Sequence, residues 1–193
     1  MSKGKGKRLV YIPEDLLEDA AAASRKRGES ISKFVEETVR QAVRMSRLDY
    51  SPERAEELLE VMQVHRILGG AFVPLDVVNY LTSKAYKDEK ELLQAKWYES
   101  GRWHGKYIKE KFKNPVQALK TFLEATRWDL SEVEVKQNGD LVKLRCISTV
   151  LTAEATDLLA RFIEGAMHSI GYKTQNVDNM KGMIALQFVL PET

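Results

Sequence analysis

The chain has 193 residues, of which 44% are hydrophobic, which suffices for one large or two small globular domains and excludes a chain disordered throughout. The formal net charge is only +2, so the chain as a whole is not a nucleic-acid-coating polycation. The single cysteine, Cys146, requires no oxidising compartment, and no apolar stretch approaches the ~20 residues that span a bilayer, so we expect a cytoplasmic, non-membrane protein.

Positive charge is concentrated at the N-terminus. Residues 1–50 contain eleven Lys/Arg and eight Asp/Glu, a net charge of +3, which leaves nineteen and twenty, a net charge of −1, for the remainder. Lys3, Lys5, Lys7 and Arg8 all precede the first acid, Glu14. The sequence therefore predicts a short basic arm in front of a nearly neutral body.

The first elements predicted are a strand and two helices. Residues 8–12 are short and rich in β-formers, which indicates one strand. Pro13 starts a helix with acids in its first turn, and Gly28 ends that helix. Ser30 caps a second helix that runs to about Met45, with apolar residues at helical spacing.

This order of elements resembles the ribbon-helix-helix family of the MetJ, Arc and CopG type. The matching segments are residues 8–16 and 28–35, and the resemblance covers about a quarter of the chain. It implies that two chains pair their strands as an intermolecular two-stranded antiparallel ribbon that enters the major groove of DNA. Because one short strand is not stable alone, we expect a homodimer bound to double-stranded DNA, where dimers can pair again.

Alternation along the strand predicts which side chains face the DNA. Val10 and Ile12 should point into the dimer core, and the opposite face should carry the base contacts Lys7, Leu9 and Tyr11. Leu9 departs from the polar residue that is usual in the family. The free N–H groups of a helix N-terminus bind anions, and phosphate contacts are expected from Lys3, Lys5, Ser30, Ile31 and Ser32.

The rest of the chain predicts an α+β domain with an antiparallel sheet and several helices. The predicted organisation is a ribbon-helix-helix domain over 1–48, a connecting helix over 49–70 and the α+β domain over 71–193. The Asn138-Gly139-Asp140 segment should form a hairpin turn. The predicted helices cover about 52–68, 74–86, 88–112, 115–127 and 152–170, and the strands 133–135, 141–147, 172–177 and 183–190, the last two joined by a turn at 179–182.

The sequence contains no catalytic or metal-binding pattern. His65, His104 and His168 lie on three separate predicted helices, where each is expected to be a surface residue or a satisfied core residue. Cys146 should pack as a small hydrophobe. Since zinc-ligand spacing, a Gly-rich phosphate loop and a nucleophile elbow are missing, we predict no enzyme, no metal and no cofactor.

Glycines inside two predicted helices indicate a close approach. Gly101 and Gly105 are four residues apart and share one helix face. A helical glycine costs about 1 kcal/mol relative to alanine, so a neighbouring element or a ligand must need that space. Gly165 raises the same question on a later helix.

These glycines carry a second resemblance. The Gly-x-x-x-Gly helix, a connecting helix, the hairpin, a helix with Phe-x-x-Gly and a final strand pair resemble the 4-vinyl-reductase domain, an α+β fold that binds small molecules. The resemblance covers residues 70–190 and implies dimers that hold an apolar or aromatic effector; zinc is not carried over, because zinc-binding members use several cysteines. Any single aromatic residue could instead pack in the hydrophobic core without contacting a ligand. If a pocket exists, its predicted lining is Trp97, Gly101, Trp103, Gly105, Tyr107, Phe122, Trp128, Phe162, Gly165 and Met167.

Together these patterns favour a nucleoid-associated transcriptional regulator, such as a repressor, that responds to a ligand in its C-terminal domain. One alternative is an antitoxin-like autorepressor whose C-terminal domain binds a protein. Another is an architectural or segregation protein that binds DNA without a ligand.

Overall fold

The computed structural model describes residues 9–48 and 51–191. The chain divides into two compact units, Met1–Ala55 and Glu56–Thr193. Helix α3 (Pro52–Ile67) crosses this boundary, and its Val61 and Val64 are buried residues of the second unit. The part of the chain predicted to be only a connecting helix therefore supplies apolar residues to the C-terminal unit.

The N-terminal unit contains helices α1 (Glu14–Arg27) and α2 (Ile31–Ser46), which confirms the two predicted helices. Gly28 ends α1 in the left-handed region, with φ 67°, where a side chain would be strained. The Ser30 hydroxyl caps α2 by accepting a hydrogen bond of 3.3 Å from the Lys33 N–H. Residues 9–12 belong to neither a helix nor a strand in this single chain, so the intermolecular ribbon stays a prediction.

The C-terminal unit is α+β, as predicted, and its four strands form one antiparallel sheet in the order β1-β2-β4-β3. Two tight turns build its hairpins, Gly139-Asp140 between β1 and β2 and Lys181-Gly182 between β3 and β4. In chain order the elements after α3 are α4 (Leu75–Lys111), α5 (Pro115–Thr126), β1 (Glu132–Asn138), β2 (Leu141–Ile147), α6 (Ala153–Ile170), β3 (Lys173–Met180) and β4 (Met183–Val189).

One predicted boundary is confirmed and another is wrong. The helices expected over 74–86 and 88–112 meet at a kink within α4, at Glu89, whose φ −133° and ψ 39° are not helical. The turn expected over 179–182 has only two residues, because β3 continues to Met180 and pairs it with Met183. No proline stops the chain there, so strand pairing extends β3 beyond the local signals.

Helix α6 is the centre of the core. It packs against α4 on one side and against β3 and β4 on the other, and most of its residues are buried. The sheet presents the alternate residues of β2 and β4 to this layer, as the two-residue period of a strand requires. Its opposite face carries exposed charges such as Lys143 and Arg145. Among the described residues, no helix has the length and apolar content of a membrane span.

Candidate functional site

A cavity of about 970 Å³, half open to solvent, lies in the C-terminal unit. Residues 68–75, between α3 and α4, form one side of it. The other sides come from one face of α4, the end of α5 with the loop to Asp129, and the first half of α6. This volume is in the range of small-molecule pockets, roughly 300–1,000 Å³.

Aromatic rings form the wall of the cavity. Phe122 of α5 and Phe162 of α6 lie nearly parallel, with ring centroids 6.0 Å apart, and Trp97 meets Phe162 edge-on at 6.5 Å. Phe72 stacks on Trp128 with centroids 5.6 Å apart. Because the Trp128 indole N–H donates to the Ala125 carbonyl at 2.8 Å, that ring offers a flat apolar face and no free donor.

His104 is a buried histidine on the cavity wall, between the rings of Phe122 and Phe162. Its Nδ1 lies 2.8 Å from the Ser100 carbonyl oxygen, which can only accept, so Nδ1 carries the proton. Burial lowers the pKa of His104 below its ordinary value, although the Ser100 bond opposes this. The neutral ring therefore leaves the lone pair on Nε2.

His65 occupies the end of α3, beside the same wall. Its ring lies 5.2 Å from that of Phe72 and 6.1 Å from that of Phe122. Both ring nitrogens are buried without a hydrogen-bond partner among the described residues. The same is true of Oδ1 of Asn79, which also lines the cavity. The expectation of a surface or satisfied core histidine is therefore wrong for His65.

The charged groups of the cavity are nearly balanced. Arg127 and Asp129 form a two-bond ion pair, with nitrogen–oxygen distances of 2.9 and 2.6 Å. Burial alone would raise the pKa of Asp129, but the hydrogen bonds and charge of Arg127 hold it below its usual range. The remaining cation on the lining is the exposed Lys96. The buried part of the lining therefore carries no net charge.

Four of the ten residues predicted for a pocket line this cavity, namely Trp97, Phe122, Trp128 and Phe162. Trp103 does not, because it is 62% exposed on the outer side of α4 with the Lys106 ammonium over its ring. Met167 is fully buried in the core, and Tyr107 is half-buried outside the lining.

The three glycines predicted for the pocket serve the crossing of α4 and α6 instead. A Cβ at Gly101 would collide with the Phe162 carbonyl, and one at Gly105 with the Ala166 carbonyl. A Cβ at Gly165 would collide with the Tyr98 carbonyl of α4. The close approach inferred from the sequence is therefore that of a neighbouring helix.

Sequence reasoning missed His65, Asn79, His104 and the segment between Gly69 and Pro74 as parts of the cavity. The one local signal is that this segment, Gly69-Gly70-Ala71-Phe72-Val73-Pro74, is apolar although it lies between helices. No spacing links it to α5 or α6, about 50 and 80 residues later in the chain.

His168 belongs to a separate polar network between α4, α6 and β3. The Thr174 hydroxyl donates to buried Glu164 at 3.2 Å and accepts from His168 Nε2 at 2.7 Å, so Nδ1 accepts from the Tyr98 hydroxyl at 2.7 Å. Arg161 neutralises Glu164 at 2.9 Å. His168 is thus satisfied, as predicted. Within the described residues no three His, Cys, Asp or Glu side chains are grouped so as to hold a metal ion.

Five of the residues predicted to meet DNA lie in the described part of the N-terminal unit, namely Leu9, Tyr11, Ser30, Ile31 and Ser32. Leu9 and Tyr11 are 96% and 99% exposed. Ser30 is the cap of α2, so the N–H groups of Ile31 and Ser32 lie in its first turn, where no intrahelical carbonyl can accept them. The predicted contacts Lys3, Lys5 and Lys7 lie outside the described residues.

The helices of this unit bury almost nothing. Ser24 is its one buried residue within 9–48 and 51–55, and no residue of α2 is buried. Apolar residues recur along one face of α2, where Val39 and Val43 are 57% and 49% exposed. A helix with such an apolar face is stable when that face packs against another apolar surface.

No protein-family model matches the chain, and no curated protein matches it.

Proposed function

We propose that this protein is a homodimeric, sequence-specific DNA-binding regulator that reads DNA through a ribbon-helix-helix module and responds to a small apolar ligand in its C-terminal unit. The observation that carries the proposal is the N-terminal unit itself. It has two capped helices behind residues 9–12, which are in neither a helix nor a strand, and among its described residues it buries no apolar side chain.

A second copy of the chain resolves this instability. The apolar face of α2 can pack on its equivalent, and residues 9–12 can pair with the same residues of the partner as an antiparallel ribbon. Such an interface buries apolar surface that one chain leaves in water, which contributes about 25 cal/mol per Å².

Pairing also creates the DNA-reading surface. A two-stranded ribbon fits the major groove, and alternation directs Lys7, Leu9 and Tyr11 to the same side. Tyr11 can donate or accept a hydrogen bond, whereas Leu9 packs only on an apolar group such as a thymine methyl. The free N–H groups of Ile31 and Ser32 at the start of α2 suit a phosphate.

The cavity supplies the regulatory half of the proposal. It is apolar, of ligand size, and lined by His65 at the C-terminal end of α3. The same helix begins in the N-terminal unit, and its Val61 and Val64 are fixed in the C-terminal unit. A ligand that repacks the end of α3 therefore acts on the covalent connection between the two units.

The test begins with selection of binding sites from random-sequence DNA by the full chain, followed by affinity measurements on the selected site. Tyr11→Ala should lower specific affinity about 10-fold, as expected for loss of one base contact. Tyr80→Ala, which removes an exposed tyrosine of the C-terminal unit, is the matched control and should leave affinity unchanged.

Dimerisation is tested separately by sedimentation. Val39→Glu should convert the dimer to a monomer and abolish specific binding. Glu37→Gln should do neither, because Glu37 lies two residues from Val39 and so on the opposite side of α2. A monomeric full-length protein, or Tyr11→Ala binding DNA as well as the unaltered chain, would refute the ribbon reading. A protein that co-purifies at equal stoichiometry would favour the antitoxin-like alternative.

A further inference from the structure

We propose that residues 71–73 form a lid over the cavity, hinged at Gly69 and Gly70, and that His65, against which Phe72 of this lid packs, is the residue that hydrogen-bonds an uncharged, largely apolar ligand bearing a hydroxyl or amide group. The inference rests on the ligand-responsive part of the proposed function and specifies the chemistry of that site.

The lid is defined by how its ends are held. Gly69 has φ 76°, a left-handed conformation that glycine adopts without strain, and Pro74 fixes the other end as the N-cap of α4. The N–H groups of Gly69 and Gly70 are bonded back to α3. Between residues 71 and 73, no backbone hydrogen bond to the described part of the chain holds the segment down.

Side-chain contacts close the lid loosely. Phe72 stacks on Trp128 and touches His65, but Phe72 remains 53% exposed and Trp128 80% exposed. The two rings therefore meet at the surface rather than in the core. Separating them exposes little additional apolar surface, so the lid can lift without unfolding the helices around it.

The hinge and the closed lid together leave the His65 ring beneath them without a hydrogen-bond partner. The Gly70 backbone lies directly on the His65 ring, so that a Cβ at this position would collide with the ring. A neutral imidazole has one donor and one acceptor, and here both are buried without a partner in the described chain. A buried unpaired polar group is unfavourable, which biases the lid towards a state in which His65 is paired.

The surroundings of His65 decide which ligand pairs with it. Burial lowers the pKa of His65, so this residue offers an anionic ligand a neutral ring rather than a cation. Arg127 and Asp129 neutralise each other, and Asn79 Oδ1 is a further unpaired acceptor on the lining. A hydroxyl or amide both donates and accepts, and it is not ionised. The rest of the ligand must suit the rings of Trp97, Phe122 and Phe162.

Three naphthalene probes test the ligand class on the full chain. They are 1-methylnaphthalene, 1-naphthalenemethanol and 1-naphthoate, which share a ring system and carry a methyl, a hydroxymethyl or a carboxylate group. Quenching of tryptophan fluorescence reports binding, because all three tryptophans lie in residues 56–193. The alcohol should bind about 5- to 10-fold more tightly than the methyl compound, the gain expected for one net hydrogen bond.

Variants of His65 assign that preference to one residue. His65→Phe keeps the ring contacts but removes both nitrogens, so the preference should disappear. His65→Gln keeps a donor and an acceptor, so it should retain the preference. Equal affinity for alcohol and methyl compound in the unaltered chain, or a preference that survives in His65→Phe, would overturn the assignment. Tightest binding of naphthoate would assign the site to an anion at Lys96 instead.

Gly70→Ala tests the lid. The added methyl should displace the His65 ring and hold the lid open, so probe association should become several-fold faster. In the double variant His65→Ala with Gly70→Ala the ring is gone, and the glycine substitution should have no further effect on the rate. An unchanged rate in Gly70→Ala would refute the lid.

DNA affinity measured on the same samples separates the two proposals. If no probe binds while specific DNA binding persists, the lid and ligand assignment fail and the DNA module stands. If ligand binding follows His65 as expected but the protein is a monomer without specific DNA affinity, the DNA function fails alone.

Discussion

At the crossing of α4 and α6, the tertiary structure decides whether a substitution stabilises or destabilises the protein. Gly101→Ala adds one methyl group to α4. In an isolated helix this stabilises by about 1 kcal/mol, because alanine is the better helix former. Here the new Cβ would meet the Phe162 carbonyl of α6 below the 3.0 Å that real Cβ atoms keep, and backbone at that point cannot rotate away as a side chain can.

The expected magnitude follows from the separation that the methyl forces. Ordinary contact requires 3.4–4 Å, so the helices must part by about 1.5–2 Å, and a gap of only about 0.5–1 Å already forfeits a quarter to half of the dispersion energy of the separated atoms. Gly105 and Gly165 lie at the same crossing, so their contacts with the opposite helix are lost when the two helices separate. Overpacking of this kind costs about 1–3 kcal/mol, and we expect a net loss of about 2 kcal/mol, or about 4–8 °C in Tm.

Thermal and urea unfolding followed by tryptophan fluorescence measure this loss in the C-terminal unit. Glu99→Ala is the matched control, since it adds no atom at the crossing and removes only an exposed ion pair with Arg102, worth little. It should shift Tm by no more than about 2 °C. A Gly101→Ala protein as stable as the parent, or more stable, would show that α4 and α6 do not meet at these glycines.

Three further predictions each concern a single side chain. Burial raises the pKa of Cys146 to about 12, so the native thiol should resist a disulfide reagent at neutral pH and react only on unfolding; rapid native labelling would contradict its packing. Burial lowers the pKa of His104 and His168 below 6.5, so the unfolded chain takes up protons first, and stability should fall as the pH drops below that value. His104→Phe should flatten this dependence, and an unchanged pH profile would exclude His104 as its source. Tyr86 donates to Asp157 at 2.6 Å near the interruption at Glu89, so Tyr86→Phe should cost about 1 kcal/mol and speed amide exchange over residues 75–88; unchanged exchange there would show that this bond does not hold the segment.

Local signals determined the helix ends and the first hairpin. Ser30, Asn114 and Thr152 each cap the helix predicted after them, and each side chain accepts from a backbone N–H three residues later. Gly28 ends α1, and Gly139, with φ 58°, makes the β1–β2 turn. These features depend on residues adjacent in the chain, so the sequence alone indicates them.

Tertiary structure decided what the distinctive residues do. The sequence shows that something must approach Gly101, but only packing shows that it is the Phe162 carbonyl, about 60 residues away, rather than a ligand. The sequence likewise predicts which aromatic residues could form a pocket, but it does not distinguish between Phe122 and Trp103. Only the structure shows that Phe122 lines the cavity and that Trp103 lies on the surface. His65 has no signal at all, because its unpaired nitrogens result from the backbone that folds over it. Caps and turns are contacts within a few residues, whereas a cavity and its cover are formed by segments that meet only when the chain has folded.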